Sequence, residues 1–262
     1  MFTRIFISIS FLLILSSCQE SKPKSKSNSV SKRSQSRVEK KVETQEPIYK
    51  SWQSDEEAVA FLKTYGKRNK ERILKIETRF GTIKMRLYEN TPLHRANMIY
   101  LVKEHQYFNG TWFHRVSKGH VIQAGNNDEY TLKSLRDKIG KYELPAEALG
   151  ENLHKYGSVA MARSYKNNPD KESDPFEFYI NLGQKYSEAQ LDLMEEEYGI
   201  TINSRQRQVY STIGGSPHLD QEHTVIGEVI EGMGVVEAIS EVATDSGEWP
   251  LENIGIKIFI QK

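Results

Sequence analysis

A closed β-barrel with helical caps is the fold class this chain predicts, and three features of residues 51–262 point to it. Short segments alternate apolar and polar residues with period two. Two modest helical patterns interrupt them, and turn residues recur at short spacing. The roughly 210 residues of this part suffice for one mainly β domain with a substantial core.

Residues 1–17 read as a targeting segment and not as fold. Arg4 supplies a positive n-region, and Ile5 to Leu15 form an apolar run too short to span a bilayer comfortably. The run ends in Leu15-Ser16-Ser17-Cys18, which looks like the bacterial lipobox, where small residues precede a cysteine that becomes acylated. A signal peptide, a lipid on Cys18, attachment to a membrane through that lipid, and a place in the bacterial cell envelope facing the periplasm or exterior are the expectations. Cys18 is the only cysteine, so an internal disulfide is excluded.

Residues 18–50 read as a disordered, Ser- and Lys-rich tether, since their few large apolar residues are not expected to offset the entropy of ordering. Nine Lys and Arg against four Glu give residues 19–50 a charge of +5; Arg4 adds one, and the whole chain carries +1, so residues 51–262 carry −5. The basic charge is thus confined to the tether. A nucleic-acid partner, which would need a basic face on the folded part, is not expected. The tether has a root-mean-square reach of roughly 30 Å.

The folded part opens with a helix within 51–72. Ser54 and Glu57 have the spacing of a capping box, Val59, Phe61, Leu62 and Tyr65 give an apolar face, and Gly66 stands where a C-cap would end it. Leu74, Ile76, Thr78 and Phe80 then alternate with charged residues, Gly81-Thr82 reads as the turn, and Ile83, Met85 and Leu87 complete a hairpin. Thr91-Pro92 starts a helix, with Ala96, Ile99, Tyr100 and Val102 as its buried stripe. Tyr107 to Gly110 turns into a strand at Thr111 to Val116, and Ser117-Lys118-Gly119 turns again before Val121 and Ile122. Later, Ser187 and Gln190 form a second capping box for a helix with Leu191, Met194 and Tyr198 on one face. Residues 204–213 read as another helix stopped by Gly214-Gly215.

Phe113-His114-Arg115-Val116 followed by Gln123-Ala124-Gly125 is the most informative stretch. Alone, it fits an Arg and a His on the polar face of a barrel strand, with Gln123 a satisfied strand amide. Further pieces follow in order: Ala160-Met161-Ala162-Arg163, Phe176-Glu177-Phe178-Tyr179-Ile180, His218-Leu219-Asp220, and His223 through Gly232-Met233. Across residues 73–260 this set resembles the cyclophilin-type peptidyl-prolyl cis-trans isomerases. The resemblance implies eight antiparallel strands closed into a barrel with a helix over each end, catalysis by Arg115 assisted by Gln123, and no cofactor or metal. It implies a substrate groove formed by His114, His120, Val121, Ala162, Arg163, Glu177, Tyr179, Leu219 and His223. The Ala162-Arg163 backbone edge would pair with an extended, proline-containing polypeptide. A monomer is expected.

The chain departs from the family pattern by substitutions at four places and by one longer stretch. His120-Val121 replaces Phe-Met, Arg163 replaces Asn, Glu177 replaces Gln, and His218 replaces an aromatic associated with cyclosporin binding. A smaller, more polar pocket with poor cyclosporin sensitivity is the expectation. Since an unperturbed imidazole titrates near pH 6.5, His120 and His218 predict a loss of kcat/KM between about pH 8 and 5.5. The stretch 184–216 is longer than the family pattern and reads as a helical insertion packed on the barrel, or as a partner-binding face. A proline-peptide-binding or chaperone-like module without turnover is the alternative to an enzyme.

Overall fold

The computed structural model describes residues 51–261, so the expected signal peptide, Cys18 and the tether lie outside the described residues. The elements are α1 (Asp55–Arg68), β1 (Ile73–Thr78), β2 (Gly81–Leu87), α2 (Pro92–Lys103), β3 (Trp112–Ser117), β4 (Val121–Asn126), α3 (Tyr130–Ile139), β5 (Ser158–Met161), β6 (Phe178–Asn181), α4 (Glu188–Tyr198), α5 (Ser204–Thr212), β7 (Val225–Glu231), α6 (Met233–Ser240), β8 (Ile254–Gly255) and β9 (Lys257–Ile260).

The strands form one antiparallel sheet in the order β8-β3-β4-β6-β5-β7-β2-β1-β9. Its two edges, β8 and β9, are neighbours in the chain, separated only by Ile256. The segment 254–260 therefore pairs with β3 on one side and β1 on the other, and the sheet closes on itself. Nine strands are present where eight were expected because this last strand is interrupted at Ile256, whose N–H turns to the Thr111 carbonyl at 3.0 Å. The barrel interior is filled by Leu74, Ile76, Ile83, Phe113, Ile122, Ala124, Phe178, Ile180 and their neighbours.

Several local expectations shift. The hairpin turns at Arg79-Phe80, not Gly81-Thr82, because the Thr78 hydroxyl accepts from the Phe80 N–H and donates to the Gly81 carbonyl. Gly66 lies inside α1 and not at its C-cap. A Cβ there would meet Ala96 Cβ at 2.9 Å, so the glycine serves the close approach of α1 to α2. Thr91 is the N-cap of α2 without a side-chain bond; the Glu147 carboxylate accepts from the Leu93 and His94 N–H groups instead. Helix α3, which the sequence reading passed over, places Leu132 and Ile139 in the core.

The insertion is a compact helical pair. Ser187 and Asn203 each form a complete capping box, with Gln190 and Gln206 as partners. Arg207 ties α5 to Glu188, Asp192 and Glu195 of α4. Leu191, Ile202 and Tyr210 bury themselves with Leu153 in a small apolar cluster separate from the barrel core.

Candidate active site

Of the two register shifts between β3 and β4, the one between Phe113 and Arg115 decides which way Arg115 points. On β3, Phe113 pairs with Ala124 and Arg115 with Gln123, so two steps on β3 oppose one step on β4. Paired residues share a face and consecutive residues on β4 do not. The extra residue, His114, therefore turns Arg115 away from the core side that Phe113 occupies. Gln123 in turn pairs with Tyr179, and Tyr179 with Ala160. These side chains meet on the outer face of the barrel, where Val121, Ala160, Tyr179 and Val225 form a second apolar cluster with Tyr88 and Leu219 packed on it. That cluster floors a cleft of about 400 Å³ lined by Arg115, His120, Val121, Gln123, Ala162, Arg163, Tyr165, Tyr179, His218, Leu219 and His223.

Carboxylates hold the two polar groups of the β3–β4 wall. Arg115 Nε donates to Glu248 Oε2 at 2.7 Å, and the Ser117 hydroxyl donates to Glu248 Oε1 at 2.6 Å. The Ser117 bond, and after it the Arg115 charge, keep the Glu248 carboxyl below its ordinary range. Pairing through Nε leaves both Nη groups of Arg115 outside this ion pair. Gln123 Nε2 donates to Glu177 Oε2 at 2.9 Å. A carboxylate can only accept, so the amide orientation is fixed. Burial opposes ionisation of Glu177, but His114 and Arg136 outweigh it and hold the carboxyl well below the usual range. Gly125, two residues along the strand from Gln123, has φ of 110°, and a Cβ there would lie 2.1 Å from the Phe176 carbonyl oxygen, so only glycine fits.

The opposite wall is the segment 217–223, braced from behind. The Asp220 carboxylate accepts from the His154 N–H, from the Tyr210 hydroxyl at 2.7 Å and from Gln206 Nε2 at 2.9 Å. His154 Nδ1 lies 3.2 Å from the same carboxylate, and its Nε2 lies 3.1 Å from the Tyr179 hydroxyl. With Nδ1 donating to Asp220, Nε2 accepts the Tyr179 proton. The insertion thus reaches the cleft floor through α5, Asp220 and His154. His223 Nδ1 donates to the Met161 carbonyl, leaving Nε2 to accept from the Tyr165 hydroxyl at 2.7 Å. Burial pushes His223 down to about 4. It also lowers His120 and His218, with Arg115 adding to the effect on His120 and His120 to that on His218.

Of the residues read from sequence, Arg115, Gln123, His120, Val121, Ala162, Arg163, Tyr179, Leu219 and His223 converge on the cleft. His114 and Glu177 do not line it. The bulge puts His114 under the surface, 8% exposed, with its Nε2 3.4 Å from Glu177, and both sit behind Gln123. The expected free edge at Ala162 is also not met. Its N–H donates to the Glu177 carbonyl, and its own carbonyl accepts from the Asp174 N–H. Arg163 folds onto Glu222 and over the Tyr165 ring, 4.2 Å from its centroid. Sequence reading missed Glu248, Tyr165, His154 and Asp220 as partners, because each acts across a long chain separation that no local pattern records. Among the described residues no group of three or more His, Cys, Asp or Glu is placed to hold a metal.

The model of the family described as cyclophilin type peptidyl-prolyl cis-trans isomerase/CLD matches residues 73–259. A peptidyl-prolyl cis-trans isomerase of Acinetobacter baylyi is 26% identical over 175 residues, covering 66% of this chain and 74% of the relative. A cyclophilin-type isomerase of Cryptosporidium parvum, crystallised in the presence of the dipeptide Ala-Pro, superposes with a TM-score of 0.51 at 19% identity, over 73% of this chain and 99% of that one. A second crystal structure of that protein gives a TM-score of 0.52 at 18% identity, over 73% and 98% of the two chains. These two likenesses concern the fold.

Proposed function

The chain belongs to the cyclophilin-type peptidyl-prolyl cis-trans isomerases, enzymes that accelerate rotation about X-Pro bonds, and we propose that its catalysis occurs in the cleft on the outer barrel face with Arg115 as the catalytic cation. The barrier to this rotation is about 20 kcal/mol, and uncatalysed exchange takes tens of seconds or more. No bond is made; the amide only loses its conjugation as it twists. The ring nitrogen then becomes pyramidal and gains a lone pair. A fixed donor at that nitrogen stabilises the twisted state more than either planar state, which is the condition for catalysis. Arg115 suits the task because it stays charged, and its Nη donors are free of the Glu248 ion pair. Gln123 gives one amide hydrogen to Glu177 and has a second for the substrate carbonyl. Val121, Ala162, Tyr179, Leu219 and His223 would hold the proline ring.

The observation that carries this reading is the bulge at His114, which brings the charge of Arg115 over an apolar floor. The test is a protease-free isomerisation assay on residues 51–262 with an X-Pro peptide, and exchange faster than the uncatalysed rate is expected. One observation favours the alternative, a module that binds proline peptides without turnover: Arg115 is already paired with a carboxylate. Peptide binding without acceleration would select that alternative.

We also propose that the mature protein is tethered by a lipid on Cys18 to a membrane of the bacterial cell envelope and acts there on folding, proline-containing polypeptides as a monomer. The supports are Leu15-Ser16-Ser17-Cys18 and the polar composition of residues 18–50. Mass spectrometry of the mature N-terminus should find an acylated cysteine, and Cys18→Ser should release the protein from membranes. An unmodified Cys18, or cleavage elsewhere, would refute this.

A further inference from the structure

The far end of α4 touches the cleft. The Tyr198 ring stacks on His218 with centroids 5.0 Å apart and planes 24° apart. His218 stacks in turn on His120 at 5.8 Å and 17°. Both histidines line the cleft, so three near-parallel rings run from the proline pocket out to the insertion. Tyr198 is an aromatic on the same helical face as buried Leu191, yet it stays 50% exposed and outside the apolar cluster that holds the insertion together. Its placement is firm, because α4 is capped, cross-linked to α5 by Arg207, and α5 is bonded to Asp220, two residues from His218.

We propose that the insertion gives the isomerase cleft an additional subsite, with Tyr198 as its specificity-determining residue, that takes an aromatic side chain of the substrate two to three residues from the proline. The distance follows from the two ring-to-ring steps, since an extended peptide advances about 3.3 Å per residue. The chemistry follows from the rings. Their faces favour offset stacking or edge-on contact with another aromatic over an aliphatic or charged side chain. Burial keeps His120 and His218 in their uncharged forms near neutrality, which removes the repulsion a cationic wall beside Arg115 would create. The occupant is the substrate itself because the ladder is continuous with the cleft. The inference rests on the isomerase reading of that cleft.

The test uses the full-length chain and a set of peptides around one X-Pro bond, with a single phenylalanine moved from three residues before the proline to three after it. An all-alanine peptide is the reference. Turnover and peptide affinity are both measured. We expect the wild type to prefer one phenylalanine position, two or three residues from the proline, by about five- to tenfold, carried by KM and not by kcat. Tyr198→Ala should bring the ratio of phenylalanine to alanine peptide close to one, and Tyr198→Phe should keep it. A wild type indifferent to phenylalanine overturns the proposal. So does a Tyr198→Ala variant that weakens both peptides equally, since that is the result of a merely structural role. Should no peptide be turned over, the isomerase reading fails, while the affinity ratio still decides the subsite.

Discussion

The two walls of the cleft hold their functional groups by different means. On one, β3 and β4 present Arg115 and Gln123, each tied through a side-chain nitrogen to a carboxylate. Arg115 and Glu248 are both 40% exposed, so their pairing contributes little to stability, of the order of 1 kcal/mol or less. On the other wall, Asp220 is 6% exposed and collects donors from His154, Tyr210 and Gln206. Buried donors that lose such an acceptor cost far more than an exposed pair. The difference separates two properties. Arg115 and its partner can be altered without unfolding the barrel, whereas changes behind the opposite wall act on stability first and on binding through it.

Asp220→Ala is the largest test of that contrast. It strands the Tyr210 hydroxyl, Gln206 amide and His154 donors together, and should cost about 3 kcal/mol or more in chemical denaturation. A loss below about 1 kcal/mol would break the distinction between the walls. Glu177→Gln comes next. It keeps an acceptor for Gln123 but removes the charge that faces His114 and Arg136, so a loss of about 1–3 kcal/mol is expected by the same measurement. Glu248→Gln should leave stability within about 1 kcal/mol while lowering kcat about tenfold with KM unchanged, because the acceptor that anchors Arg115 loses its charge. A rise in kcat would instead mark Glu248 as a brake on the arginine.

The smallest effect is on pH. Burial lowers His120, His218 and His223 below the ordinary imidazole value, so all three take up their protons at lower pH than unperturbed imidazoles would. The kcat/KM profile for a non-titrating peptide should be flat from about pH 8 to 6.5 and fall a few-fold only below that. The sign for stability is the same. His223 binds its proton near pH 6.5 when unfolded and near 4 when folded, so the unfolded state takes up more protons between these values. Stability should fall as pH drops through that window. A decline beginning at pH 8 would show that the imidazoles are more solvated than their packing implies.

Most of the barrel and of the β3–β4 wall was legible in the sequence. Period-two alternation marks strands facing one core, and Phe113-His114-Arg115 with Gln123 is a local pattern. What was not legible arises from contacts distant in the chain. His114 could not be known to lie beneath the surface without the bulge, which depends on β4. Glu177 reads as a groove residue until Arg136, from a helix the sequence reading passed over, is seen to pair with it. Glu248 reaches Arg115 across 133 positions, and Tyr198 reaches His218 only because α5 fixes the pose of α4.

The measurement that tests the account most directly is the kcat and KM of Arg115→Ala beside the wild type, with Arg115→Lys as a third point, in a protease-free assay and with unfolding midpoints recorded. The expected result is a loss of about 10²- to 10³-fold in kcat, little change in KM, an unchanged midpoint, and only partial recovery with lysine, which lacks the planar pair of Nη donors. Near wild-type turnover by a folded Arg115→Ala variant would contradict it, and would mean that the catalytic group of this cleft is not the arginine that the bulge turns outward.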